Sequence, residues 1–118
     1  MATETMEVRA AVVAPSLPKK SRWLIRKATW IARPGVDPFF AYDANYLIDN
    51  KAGIIIDAEG TRANRVVEIS VTRTMIERVA HRFGLQPRRL AGDTAYGTVG
   101  LLKWLVDRQI TPHIPAWD

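Results

Sequence analysis

The order of predicted strands and helices after Pro38 is the feature that most constrains the fold of this chain. An aromatic, β-forming run at residues 39–48 predicts a strand, and the loop at 49–53 leads to a second apolar run at 54–57. A loop this short joins antiparallel strands. Apolar residues then recur at helical spacing up to Phe83, which predicts a helix over about residues 68–83. We expect this helix to pack on the sheet by Met75, Ile76, Val79 and Phe83 and to end at Gly84.

Two more strands and one helix are predicted to follow that helix. A strand over about residues 89–93 should run parallel to one of the earlier two, because a whole helix separates them. Thr98 is a suitable N-cap for a second helix, and residues 110–117 predict a last strand that Pro112 and Pro115 restrict to a sheet edge. The sequence therefore predicts an α/β fold, a mixed β-sheet with helices packed against it.

Residues 88–98, RRLAGDTAYGT, place a single carboxylate, Asp93, after a short apolar strand and before a helix. In open α/β sheets the carboxyl ends of the strands face the crevice in which ligands bind. Aspartate is also common as a cap in turns. The residues alone leave both interpretations of Asp93 open, a site residue and a turn cap.

Residues 39–118 resemble the catalytic region of insertion-sequence transposases of the DDE class. The resemblance covers FFAYDANYLIDNKAGIIIDAEGT, TRTMIERVAHRFGLQPRRLAGDTAYGT and GLLKWLVDRQITPHIPAWD. It implies a partial RNase H-like fold and metal-dependent cleavage and transfer of DNA strands, the polynucleotidyl-transferase chemistry of DNA transposition. It also implies that Asp93 is the second acid of the catalytic triad and a ligand of Mg²⁺.

The resemblance assigns no other catalytic position. The family's first Asp lies upstream of the matched segment and its closing Glu lies beyond Asp118, so we expect a fragment that lacks two of the three carboxylates and is inactive alone. Asp57 follows an apolar strand and is a tempting substitute, but turn preference favours a structural role. Asp43 and Asp49 are weaker candidates, one on a strand face and one in a loop.

The missing first strand predicts a gap in the sheet. Such a gap would expose a long apolar strand edge or be filled by residues from the amino-terminal segment. Residues 8–13 are the best candidate for the filling strand by β-propensity.

The net charge of +5 lies in the first 36 residues, which contain seven basic and two acidic side chains. We predict two regions, a basic, proline-containing arm without ordered structure over residues 1–38 and the partial catalytic domain over 39–118. A cationic arm suits salt-sensitive binding to a phosphate backbone, and a solvated tail is the alternative.

Composition sets further limits on the class of protein. The chain has no cysteine and no run of about 18 apolar residues, which favours a cytoplasmic protein without a membrane span. Two functions stay open, a DDE transposase fragment acting on DNA and a non-catalytic basic module that binds nucleic acid. No feature of the sequence sets an oligomeric state.

Overall fold

The computed structural model describes residues 2–13, 29–33, 36–62 and 65–115. Its strands are β1 (Ala2–Val13), β2 (Thr29–Arg33), β3 (Val36–Asp49), β4 (Ile54–Arg62), β5 (Gln86–Ala91) and β6 (Thr111–His113). Its helices are α1 (Arg65–Phe83), a short 3₁₀ helix (Thr94–Tyr96) and α2 (Val99–Asp107). The predicted order of elements after Pro38 is confirmed.

The strands form one mixed sheet with β1 at its centre. β1 pairs antiparallel with β3 on one side and parallel with β5 on the other. β6 extends the sheet beyond β5, and β4 pairs antiparallel with residues 42–49 of β3. β2 pairs with residues 36–41 of the same long strand. The prediction of an α/β fold with a mixed sheet in a partial RNase H-like arrangement is confirmed.

β1 occupies the position in the sheet where a gap was predicted. A strand from the amino-terminal segment fills the gap as expected, but residues 8–13 pair with β3 alone, and residues 2–7 of the same strand make the pairing with β5. β1, β2 and the start of β3 all come from residues 1–38, the segment predicted to be an arm. Residues 14–28, which hold much of its basic charge, lie outside the described residues, so the arm itself stays a prediction.

The hairpin of β3 and β4 is antiparallel as predicted, and Gly53 closes its loop at φ +68°, a conformation that favours glycine. β5 runs in the same direction as β4, but its hydrogen-bonded partner is β1. The partner could not be foreseen because the first strand was expected to be missing. β6 is only three residues long, in agreement with the two prolines around it.

Both helices pack on the same face of the sheet. Side chains from β1, β3, β5 and the two helices form the core, whose members are Met6, Val8, Leu47, Met75, Ile76, Val79, Leu90, Tyr96, Leu101, Leu105 and Ile110. Met75, Ile76 and Val79 were predicted to pack α1 on the sheet, which is confirmed. The same prediction is wrong for Phe83, which is 58% exposed because it is the last residue of α1, at its carboxyl end.

Polar contacts join the helices to each other and to β4. Trp104 of α2 lies 4.4 Å from the Arg108 guanidinium, and Arg108 donates to Glu77 of α1 at 2.6 Å. Arg78 of α1 donates to Asp57 at 2.8 Å and to Glu59 at 2.9 Å, both on β4. These contacts hold α1 against both α2 and β4.

Candidate active site

Asp93 lies just after the carboxyl end of β5, which ends in register with Glu7 of β1. β5 ends at Ala91, Gly92 follows, and Asp93 is exposed at the start of the 3₁₀ helix. Its Oδ1 accepts a hydrogen bond of 2.9 Å from the Ala95 amide. Asp93 is therefore a turn cap, and it also has the edge position that a site residue would need.

Close packing fixes the turn after Asp93. A Cβ atom added to Gly92 would lie 3.1 Å from Val8 Cγ1 and 3.3 Å from Tyr96 Cδ2. A Cβ atom on Gly97 would lie 2.3 Å from the Pro115 carbonyl oxygen, closer than real contacts allow. A side chain is thus excluded at Gly97, one at Gly92 would require Val8 or Tyr96 to shift, and Asp93 is attached to a tightly packed segment.

Tyr96 is buried beneath this turn. Burial raises the pKa of its phenol above the ordinary value of 10.0, and the nearby carboxylates Glu68, Asp93 and Asp43 raise that pKa further. The phenol is therefore neutral at physiological pH. Three carboxylates from three elements act on one hydroxyl group, so the surroundings of the turn are acidic.

Glu7 on β1 is the acid that the sequence analysis missed. It pairs in register with Ala91, two residues before Asp93 along the neighbouring strand. Arg9 donates to its Oε1 at 2.6 Å. The only signal in the sequence was a glutamate in an apolar run, and its place beside β5 follows from the register, which the sequence does not fix.

The other acids that were weighed have structural surroundings. Asp57, the tempting substitute, is paired with Arg78, and Asp49 Oδ1 accepts from the Lys51 amide at 3.2 Å in the hairpin loop. Asp43 is 2% exposed, on the face of β3 that the helices cover. Neither the two hydrogen-bonded contacts nor the burial of Asp43 places a carboxylate in contact with Asp93.

The described residues do not fit a two-ion metal centre. Two divalent ions that activate phosphoryl transfer need several carboxylates around them. Within the described ranges, no three His, Cys, Asp or Glu side chains lie close enough together to hold a metal ion. Asp93 is exposed and can offer one oxygen ligand, and magnesium usually takes one or two protein carboxylates with water and phosphate oxygens. No step of a metal-dependent reaction is assigned to this chain's side chains.

α2 begins at Val99, shortly after the Asp93 turn, and a helix amino terminus favours negative charge through its dipole and free amides. Thr98 caps α2 as predicted, accepting from the Leu101 amide at 3.3 Å.

In the described part of the chain, no helix is long and apolar enough to cross a membrane.

Comparison with known proteins relates the chain to solved structures by fold. No family model matches the chain, and no curated protein matches its sequence. The chain is similar to a chain of the piggyBac transposase synaptic complex with hairpin DNA, with TM-score 0.58, 8% identity and coverage of 100% of this chain and 24% of that one.

A second solved structure is similar in the same way. The simian T-cell lymphotropic virus intasome in complex with PP2A regulatory subunit B56 gamma contains a chain with TM-score 0.53 and 13% identity, covering 98% of this chain and 32% of that one. This chain thus spans about a third or less of the length of both. At these identities the similarity shows the fold alone: the mixed sheet and packed helices of this chain occur within a transposase complex and a retroviral intasome.

Proposed function

We propose that this chain is part of the catalytic domain of a DDE-class insertion-sequence transposase, acting on DNA in the cytoplasm. The observation that supports the proposal best is the position of Asp93. It follows the carboxyl end of β5, the strand that lies parallel to the central strand β1. The shared fold with chains in a transposase complex and an intasome supports the same function.

In this proposal Asp93 is one ligand of Mg²⁺, and the other carboxylates of the centre come from outside the described residues. Mg²⁺ would supply the Lewis acid that stabilises charge on the phosphodiester. The described residues hold Asp93 in place. The Ala95 backbone amide orients the Asp93 carboxylate, and the packed turn fixes the Asp93 backbone. The chain by itself is then not expected to cut or join DNA.

The charge distribution favours a second candidate, a non-catalytic basic module that binds nucleic acid. The first 36 residues hold the whole net charge of +5, while the remainder is neutral. A cationic segment next to a neutral domain is sufficient for sequence-independent contact with phosphates. Terminal inverted repeats around the reading frame would favour the transposase over this module.

Neutralising basic residues of the first 36 should weaken DNA binding and reduce its salt dependence. Because each phosphate contact contributes about 0.9 to the slope of log K against log salt for duplex DNA, four fewer contacts should lower the slope by roughly 3–4. The measurement is fluorescence anisotropy with a random duplex over a salt series. The variant replaces Lys19, Lys20, Arg22 and Arg26 with Gln.

The matched control neutralises four exposed basic residues of the neutral part, Lys51, Arg62, Arg82 and Lys103. Substitution is used instead of deletion because removing residues 1–36 would also remove β1 from the centre of the sheet. Equal losses of slope in the two variants would argue against an amino-terminal DNA contact. No measurable binding by the unmodified chain would argue against both candidate functions.

A further inference from the structure

Four buried polar side-chain atoms of the described residues have no hydrogen-bond partner. One is Arg73 Nε of α1, and the other three are Asp43 Oδ1, Asn45 Oδ1 and the Tyr96 hydroxyl oxygen, which together are called the polar triad below. The three residues are 2%, 1% and 2% exposed. Buried polar atoms are rarely left unpaired in proteins, because each gives up its bonds to bulk water on burial. Each member of the polar triad therefore needs a hydrogen-bond partner that the described residues do not supply.

The members of the polar triad face the same side of the sheet. Asp43 and Asn45 are two residues apart on β3, so their side chains share the face covered by the helices. Asn45 Nδ2 donates to the Glu59 carbonyl at 3.0 Å and to Thr61 Oγ1 at 2.8 Å, both on β4. Because the amide is planar and its Nδ2 faces β4, its Oδ1 is turned away from these two acceptors on β4.

Tyr96 occupies that side of β1. Its ring and the side chain of Val8 meet at Gly92, where both would contact an added Cβ atom. Val8 pairs in register with Leu47, two residues from Asn45. The Asp43 carboxylate is among the charges that raise the pKa of Tyr96, so Asp43 is within electrostatic range of the phenol. The turn and β3 thus bring their polar atoms to one buried region.

The donors and acceptors of the polar triad match one water molecule. Asn45 Oδ1 can only accept hydrogen bonds, a carboxylate at Asp43 accepts them as well, and the phenol can donate one. A water molecule donates two hydrogen bonds and accepts at least one, and buried waters typically make about three. We propose that Tyr96 is a positioning residue for Asp93 and that a buried water binds between its hydroxyl group, Asp43 and Asn45.

This water would fix the turn that contains Asp93. The Tyr96 amide donates to the Asp93 carbonyl at 3.1 Å, and the Gly97 amide donates to the Thr94 carbonyl at 3.0 Å. A Tyr96 side chain held against β3 would limit the movement of these two backbone hydrogen bonds. The Asp93 carboxylate would then keep one direction. The proposal concerns the turn, so it stands whether or not Asp93 binds a metal, although its importance for catalysis rests on the proposed function.

The test is amide hydrogen exchange, measured by NMR on the full chain without DNA or divalent metal. Tyr96→Phe keeps the ring but removes the hydroxyl group, and exchange at the Tyr96 and Gly97 amides should accelerate roughly five- to tenfold, as the loss of one buried hydrogen-bond link implies. The Gly53 amide, which donates to the Asp49 carbonyl at 2.8 Å in the distant hairpin loop, should be unchanged. Tyr46→Phe, on the same strand as Asp43, is the matched control.

A second variant tests the link itself. Asp43→Ala should accelerate exchange at Gly97 in the otherwise unchanged chain and add nothing in the Tyr96→Phe background, because both changes break the same connection. A crystal structure should show one water bonded to the three atoms. Unchanged exchange in Tyr96→Phe, additive effects of the two changes, or a metal ion bound by the polar triad would each overturn the proposal. None of these outcomes depends on transposase activity.

Discussion

Replacing Gly97 with alanine should destabilise the fold strongly, because the new Cβ atom would lie 2.3 Å from the Pro115 carbonyl oxygen. The obstacle is backbone, so no side-chain rotation can relieve the contact. Overpacked sites usually cost roughly 1–3 kcal/mol, and a backbone obstacle places Gly97→Ala at the top of that range. For a domain of this size, such a loss should lower the melting temperature by about 10 °C or more.

Gly100→Ala is the matched control for that change. Gly100 lies three residues further along the chain, exposed at the start of α2. A Cβ atom added there would lie 3.4 Å from its nearest neighbour, Arg73 Nη2. A long, flexible side chain can move, and alanine in a helix usually gains about 0.4–1 kcal/mol over glycine. Thermal unfolding of the two variants should therefore shift in opposite directions. Shifts of the same sign and size would mean that Pro115 does not pack on the turn.

Removing the side chain of Met6 should have an effect of similar or greater size. Met6 is fully buried on β1, between Asp49 of β3 and Leu90 of β5 in register. Truncation of a buried methionine to alanine costs about 2–5 kcal/mol. Native domains are stable by roughly 5–15 kcal/mol in total, so Met6→Ala should remove a large part of the free energy of unfolding. Chemical denaturation of the variant and the unmodified chain measures this loss in the free energy of unfolding.

The control for Met6 is Glu4→Ala on the same strand. Glu4 is exposed, and surface changes of this kind usually stay within about 0.5 kcal/mol. Deleting residues 1–13 should abolish the cooperative unfolding transition, because β3 and β5 would lose their shared neighbour. A deleted chain that still unfolds cooperatively would show that β1 is not the centre of the sheet.

Periodicity and turn chemistry predict the local elements of this chain well. The hairpin of β3 and β4, both helices, the Thr98 cap and the glycine at the end of α1, Gly84 at φ +64°, follow from short-range patterns. Each depends on residues close in sequence, so no knowledge of the tertiary structure is needed.

Features that depend on distant pairing were harder to predict. β-propensity selected residues 8–13 as the filling strand, but the parallel pairing of β5 with β1 depends on a register that the sequence does not fix. For the same reason Glu7 and the burial of Tyr96 beside β1 were not foreseen. Phe83 has the right helical spacing but lies too close to the end of α1 to be covered.

In the candidate site, too, the features set by nearby residues were predicted and those set by distant strand pairing were not. Asp93 was identified from the strand, turn and helix around it, and the structure places it at the carboxyl edge while also using it as a turn cap. The sequence could not decide between these two uses, and they are compatible. The register of Glu7 beside the end of β5, and the meeting of Tyr96 with the face of β3 that carries Asp43 and Asn45, depend on residues far apart in the chain and emerge only from the sheet topology.

The central claim, that Asp93 is a metal ligand at this edge, is tested most directly by paramagnetic line broadening with Mn²⁺. Amide signals of residues 93–97 should broaden first and at millimolar rather than micromolar metal, since one carboxylate and water form a weak site. Asp93→Asn should remove this local broadening, and Asp107→Asn, at the exposed end of α2, should leave it intact. Broadening that is centred elsewhere, or that persists at the turn in Asp93→Asn, would contradict the claim.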